Sequence, residues 1–149
     1  MPKSVSMIVW QHKAYLPTLV DYEHGGFLEK NPVLTSDLSI DNLLMVVKES
    51  LENNQEQQIY IETNEKDEKK PILEATGAKS WKEITKTGAV YVIDWVNDSI
   101  RVDMSYTDKK GRFLFDRDKV QIFSEDTDLR TILSAILVDF ESRPEQTSP

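Results

Sequence analysis

Residues 91–105 constrain the fold more tightly than any other stretch, because their polarity alternates on both sides of a two-residue turn signal. Tyr91, Ile93 and Trp95 alternate with Val92 and Asp94, while Ile100, Val102 and Met104 alternate with Arg101, Asp103 and Ser105. A period of two places one set of side chains on a single sheet face, and Asn97-Asp98 between the runs closes a hairpin. Residues 89–106 are therefore expected to form an antiparallel pair. Charge selects its register. A two-residue loop at Asn97-Asp98 sets Trp95 opposite Ile100, Ile93 opposite Val102 and Tyr91 opposite Met104, with Asp94 facing Arg101 on the other side. Moving the loop to Asp98-Ser99 would oppose Asp94 with Asp103, and like charges directly across a ladder are penalised.

Two helices carry the next clearest pattern. After Ser39 as N-cap, Ile40, Leu43, Leu44, Val47 and Leu51 recur at helical offsets, with Asp37 and Asp41 at the positive end of the helix dipole. This helix should end near Asn53-Asn54. The closing stripe Leu129, Ile132, Leu133, Ile136, Leu137 and Phe140 predicts a second helix, capped by Asp126 or Thr127 and stopped by Pro144. Two shorter helical pieces lie between them. Pro71 opens a turn through Ala75 that Gly77 ends, and Ser80-Trp81-Lys82-Glu83 reads as a capping box with Gly88 as the C′ residue.

The remaining strands are shorter and less regular. Val5–Trp10 is rich in β-formers, and Tyr15–Val20 is expected to continue or pair with it, Pro17 marking an edge or a bulge. Gly25-Gly26 turns the chain into Phe27-Leu28, a short strand expected to end at Asn31-Pro32. Ile59-Tyr60-Ile61 reads as a possible short strand, and 64–70 as an exposed loop of mixed charge. Asp108–Arg112 forms a second turn before Phe113-Leu114-Phe115, and Val120, Ile122 and Phe123 suggest one more strand. Together these elements predict an α+β fold: an antiparallel sheet built as a hairpin meander, with two amphipathic helices packed on one face. One domain over 1–149 is expected, with 145–149 fraying.

Composition matters mainly for what it makes improbable. With 39% hydrophobic and 30% charged residues, 149 residues suffice for a real core. The absence of cysteine removes disulfides, thiol nucleophiles and cysteine metal ligands, and suits a reducing cytoplasm. The apolar run at Val5–Trp10 is too short for a signal core and Gln11-His12-Lys13 follows it, so no cleaved leader and no membrane span are expected.

Catalytic chemistry finds little support. His24 sits among Asp21, Glu23 and Gly25-Gly26, but His12 is the only other imidazole, and neither is expected to bind metal. No Gly-x-Ser-x-Gly elbow and no phosphate-binding glycine motif occurs, while Ser36, Ser39 and Ser80 have turn or capping roles. Asp94 and Asp103 share the polar face of the hairpin, yet among twenty-six acidic residues such a pair carries no weight. No catalytic residue and no cofactor is expected. Lys109, Lys110, Arg112, Arg117 and Lys119 form a local basic cluster, read as a solvated hairpin tip with Phe113 and Phe115 in the core. A net charge of −8 argues against direct nucleic-acid binding.

What remains is an acidic binding surface. Glu62, Glu65, Asp67 and Glu68 gather in the polar segment after the first long helix, and Glu125, Asp126 and Asp128 precede the last one. Acidic patches on a small rigid domain steer it towards a basic protein surface. In size, acidity and α+β make-up, with Ile100-Arg101-Val102-Asp103-Met104-Ser105 and Asp126-Thr127-Asp128-Leu129 among its segments, the chain resembles the immunity proteins of bacterial contact-dependent growth inhibition and related polymorphic toxins. The resemblance implies a cytoplasmic, non-catalytic protein that neutralises a cognate toxin domain, such as a basic nuclease. An acidic DNA mimic and a small enzyme or ligand binder are the alternatives.

Overall fold

The computed structural model describes residues 3–21, 26–55 and 69–143. Three N-terminal strands, β1 (Lys3–Trp10), β2 (Lys13–Asp21) and β3 (Phe27–Asp37), lead into α1 (Ile40–Gln55). Two short helices follow, α2 (Lys70–Thr76) and α3 (Trp81–Thr87). The hairpin β4 (Ala89–Val96) and β5 (Ser99–Thr107) comes next, then β6 (Phe113–Phe115), a 3-10 turn at Arg117–Lys119, β7 (Gln121–Ser124) and α4 (Leu129–Glu141). The strands form one antiparallel sheet in the order β3-β2-β1-β4-β5, with β6 and β7 both paired to the far edge of β5. It is an α+β fold, as the patterning predicts.

The hairpin register follows the charge argument: Tyr91 faces Met104, Ile93 faces Val102, Asp94 faces Arg101 and Trp95 faces Ile100. Asn97 takes a left-handed conformation at φ 54° to turn the chain. The ion pair behind that argument is not the one that forms. Arg101 binds Asp103 two residues along its own strand at 3.0 Å, and Asp94 instead accepts a hydrogen bond from the Ser4 hydroxyl across β1.

Alternation divides the core in two. Val5, Met7 and Val9 of β1, Ala14 and Leu16 of β2, and the apolar hairpin positions meet Leu43 and Val47 of α1 and Ile132, Leu133, Ile136 and Phe140 of α4. Both long helices thus cover one face. Ile8, Trp10 and Tyr15 point to the opposite face, where α2 and α3 supply Ile72 and Ile84. Because β1 is central and covered on both sides, every residue from Ser4 to Trp10 is buried. Its unbroken apolar run at 7–10 reflects that position.

Several local expectations need correction. β2 is an interior strand, so Pro17 marks a bulge rather than an edge: the β2–β3 register shifts between Leu16 and Thr18, where the ring has no N–H to offer. Near that shift the Asn54 amide of α1 bonds both neighbouring backbones, accepting from Leu19 N–H at 2.7 Å and donating to Ser4 O at 2.8 Å. β3 does not end at Asn31-Pro32. It continues to Asp37 past the cis Asn31-Pro32 peptide, and as an edge strand it tolerates a proline, which has no N–H to donate. The cap of α4 is Asp128, whose carboxylate accepts from Thr131 N–H at 2.8 Å, not Asp126 or Thr127. In α3, Ser80 caps the Glu83 N–H, but the Glu83 side chain returns to Lys79 rather than to Ser80. Gly88 closes that helix in extended backbone. Its need for glycine is steric, since a Cβ would lie 2.7 Å from Ile84 O and 2.9 Å from Val9 O. Ile59-Tyr60-Ile61 and nearly all of 64–70 fall outside the described residues.

Candidate partner-binding surface

The connection from β7 to α4 carries the acids at 125–128, and local hydrogen bonds fix its shape. Ser124 Oγ donates to Asp126 Oδ1 at 2.7 Å and lies 3.0 Å from the Thr127 hydroxyl, while Thr127 N–H returns to Ser124 O at 3.0 Å. Glu125, Asp126 and Asp128 are all exposed. The Ser124 hydroxyl holds the Asp126 carboxyl below its usual range, and the Thr131 hydroxyl and N–H do the same for Asp128. Both therefore stay ionised at any physiological pH.

Folding adds two acids that the sequence does not place beside them. Arg130 in the first turn of α4 binds Asp41 in the first turn of α1 at 2.6 Å, joining the starts of the two long helices. Asp37, just ahead of α1, accepts from Ser39 N–H at 3.0 Å and from the Asn42 amide at 3.1 Å, and these bonds lower its pKa. The adjoining helix starts thus present Asp41 and Asp128 to the Arg130 guanidinium, with Asp37, Glu125 and Asp126 in the segments just ahead of the helices. One-dimensional spacing could not reveal this grouping, because the two segments are almost ninety residues apart. Glu62, Glu65, Asp67 and Glu68 lie outside the described residues.

Exposed apolar side chains that sequence reasoning missed gather in β4–β7. Val96, Phe115 and Ile122 lie on the sheet face of Arg101, and Tyr106 and Leu114 on the opposite face, with Ile122 71% exposed. Phe113 packs edge-on against Trp81 at 5.7 Å, but Phe115 is 47% exposed and is not a core residue. Period two puts Phe113 and Phe115 on the same face, and only the extent of α3 separates their fates. The brevity of β6 and β7, three and four residues, was the available signal of an edge.

Behind that edge lies a polar network that is structural in character. Tyr91 is fully buried, and its hydroxyl donates to Asp139 Oδ2 at 2.7 Å. Arg143 donates to the same oxygen through Nε at 3.0 Å and Nη2 at 2.8 Å, and Lys119 approaches the other at 3.8 Å. Burial first, and the bond to Asp139 second, push the Tyr91 pKa far up, so the phenol stays neutral and donates.

Among the described residues no group of three His, Asp or Glu is placed to hold a metal ion, and no helix is long and apolar enough to cross a membrane. His12 is exposed in the β1–β2 turn, and His24 lies outside the described residues. Ser4 is bonded to Asp94, which makes a structural link between β1 and β4 rather than a nucleophile with a base.

No family model and no curated protein sequence matches this chain. Solved structures do. A protein of unknown function from Neisseria meningitidis superposes with a TM-score of 0.67 over 93% of both chains, at 11% identity. A chain of a CdiA-CT/CdiI toxin and immunity complex from Yersinia pseudotuberculosis gives a TM-score of 0.67 over 95% of this chain and 97% of its own, at 12% identity. The likeness is one of fold. It covers 93% or more of each chain.

Proposed function

We propose that this chain is an immunity protein, which binds a cognate toxin domain and neutralises it without chemistry of its own. The observation that carries the reading is the end-to-end fold shared with a chain of a toxin and immunity complex. Charge favours the immunity side of such a pair. A domain that cuts or modifies nucleic acid needs a basic cleft for its substrate, whereas this chain carries −8 and displays ionised carboxylates at its helix starts. Those carboxylates complement a basic cleft, and a nuclease is the toxin class they fit best.

In this reading Glu125, Asp126 and Asp128, joined by Asp37 and Asp41, steer and contact the toxin. Glu62, Glu65, Asp67 and Glu68 are a second acidic set for the same role. Electrostatic steering raises the association rate and fades with salt, while a carboxylate buried against an arginine prolongs the complex. The acidic ends of α1 and α4 suit this task because the helices are anchored in the core and little ordering is left to do on binding. The test is co-purification with the toxin domain encoded beside this gene, followed by an activity assay of that domain. A one-to-one complex in which toxin activity is lost supports the proposal. A purified chain that turns over a substrate unaided, or fails to bind the toxin domain, refutes it.

A further inference from the structure

The described residues carry a second charged surface, of opposite sign, whose make-up differs from the basic cluster seen in the sequence. Within that cluster Arg112 is tied to Asp108 at 2.8 Å and Lys119 to Asp139 at 3.8 Å. Lys109 and Lys110 at the tip of the β5–β6 turn have no such partner among the described residues, and the fold delivers Lys82 of α3 to them.

The turn is closed by its own hydrogen bonds and rests on α3. Asp108 Oδ1 accepts from the N–H groups of Lys110 at 3.0 Å and Arg112 at 2.8 Å, and Gly111 adopts φ 78°. A Cβ on Gly111 would stand 3.7 Å from Lys82 Cε and 3.8 Å from Thr85 Oγ1, so the turn touches the helix directly. The Trp81–Phe113 edge contact and the bond from the Thr107 hydroxyl to Thr85 O at 2.6 Å hold the strand ends to the same helix. Lys82 therefore stands beside the Lys109-Lys110 tip, with Lys79 just ahead of α3 and Lys86 one helical turn further along it. Lys82 and Lys86, one helical turn apart, are separated by about 6 Å along the axis. None of the five lysines makes an ion pair among the described residues.

We propose that the α3 and β5–β6 platform binds the phosphodiester backbone of nucleic acid without reading its sequence. This goes beyond the immunity reading and uses a different surface. The net charge does not forbid it. At physiological ionic strength the screening length is about 8 Å, so a phosphate at the platform responds to the local lysines more than to distant carboxylates. Lysines bind phosphate as point charges, without the fixed fork geometry of arginine, which suits contact with a backbone irrespective of its sequence.

Fluorescence anisotropy of a labelled duplex DNA and a labelled single-stranded RNA, titrated with the purified chain, tests the proposal. If four phosphates are neutralised, duplex affinity falls by about two orders of magnitude between about 50 and 200 mM salt, a logarithmic slope of about −3.6. The variant Lys82→Gln/Lys109→Gln/Lys110→Gln should cut that slope by about 2.7. A control triple, Lys3→Gln/Lys13→Gln/Lys48→Gln, reaches the same net charge and should leave the slope unchanged. Should the platform triple melt early, Lys110→Gln alone at the exposed tip should remove about 0.9 of the slope. Binding confined to one probe names the nucleic acid. The proposal is overturned if neither probe binds, if the control triple loses as much as the platform triple, or if poly-glutamate or anionic vesicles displace the probe at matched charge.

Discussion

Replacing Tyr91 by Phe probes the most specific polar contact in the core. The ring would keep its packing, because Tyr91 is fully buried and the substitution removes only the hydroxyl. What is lost is one hydrogen bond to a carboxylate, 2.7 Å long. A bond to a charged group is worth about 1.5–3 kcal/mol. Asp139 would not be orphaned, since Arg143 still donates two bonds to it, so the loss should fall towards the lower end, about 1.5 kcal/mol. A dependence on pH separates this contact from simple packing. The folded-state pKa of Tyr91 is raised, so its contribution is complete below the unfolded value of about 10 and is lost as pH rises above it. Urea melts of parent and variant at neutral pH and above pH 10 measure both effects. The stability gap should narrow in alkali by about 1.4 kcal/mol per pH unit at most. A neutral-pH difference below about 0.5 kcal/mol, or a gap constant with pH, would refute the network as described.

Three further outcomes are expected. Ile136→Asp should abolish cooperative folding, because an unpaired charge at a fully buried site costs several kcal/mol against a total of roughly 5–15; an unchanged melt would show that face to be exposed. Gly88→Ala should cost about 1–3 kcal/mol by forcing a methyl against Ile84 O and Val9 O, and a neutral result by thermal melting would contradict that close approach. Below about pH 4 stability should decline, because Asp37, Asp126 and Asp128 have folded pKa values under their unfolded ones and lose their bonds on protonation. The fall should lessen in an Asp128→Asn variant followed by circular dichroism across that range.

Much of the fold was legible because local patterns and global packing agree. The hairpin register followed from loop length and charge, and the stripes of α1 and α4 match the residues that meet the sheet. What the sequence obscured has physical causes. A proline in a strand signals a missing donor, but not whether a bulge or an edge absorbs it, and Pro17 and Pro32 resolve differently. Asp126, Thr127 and Asp128 are all good caps, and only the geometry of the preceding turn selects Asp128. Arg101 had acids within reach across the ladder and along its own strand, and it took the neighbour at 103. The candidate surfaces were half visible. The acids at 125–128 are exposed as expected, but their grouping with Asp37 and Asp41, and that of Lys82 with Lys110, depends on tertiary contacts no spacing encodes.

The association rate with the toxin domain tests the central claim most directly, measured for the parent and for Glu125→Lys/Asp126→Lys at low and high salt. These two positions are chosen because neither caps α4, whereas Asp128 does and would confound binding with folding. The account predicts a clear slowing at low salt, a much smaller difference at high salt and thermal melts that differ only by the loss of the Ser124–Asp126 bond. Equal rates for both proteins at low salt would show that the acidic helix starts do not face the partner.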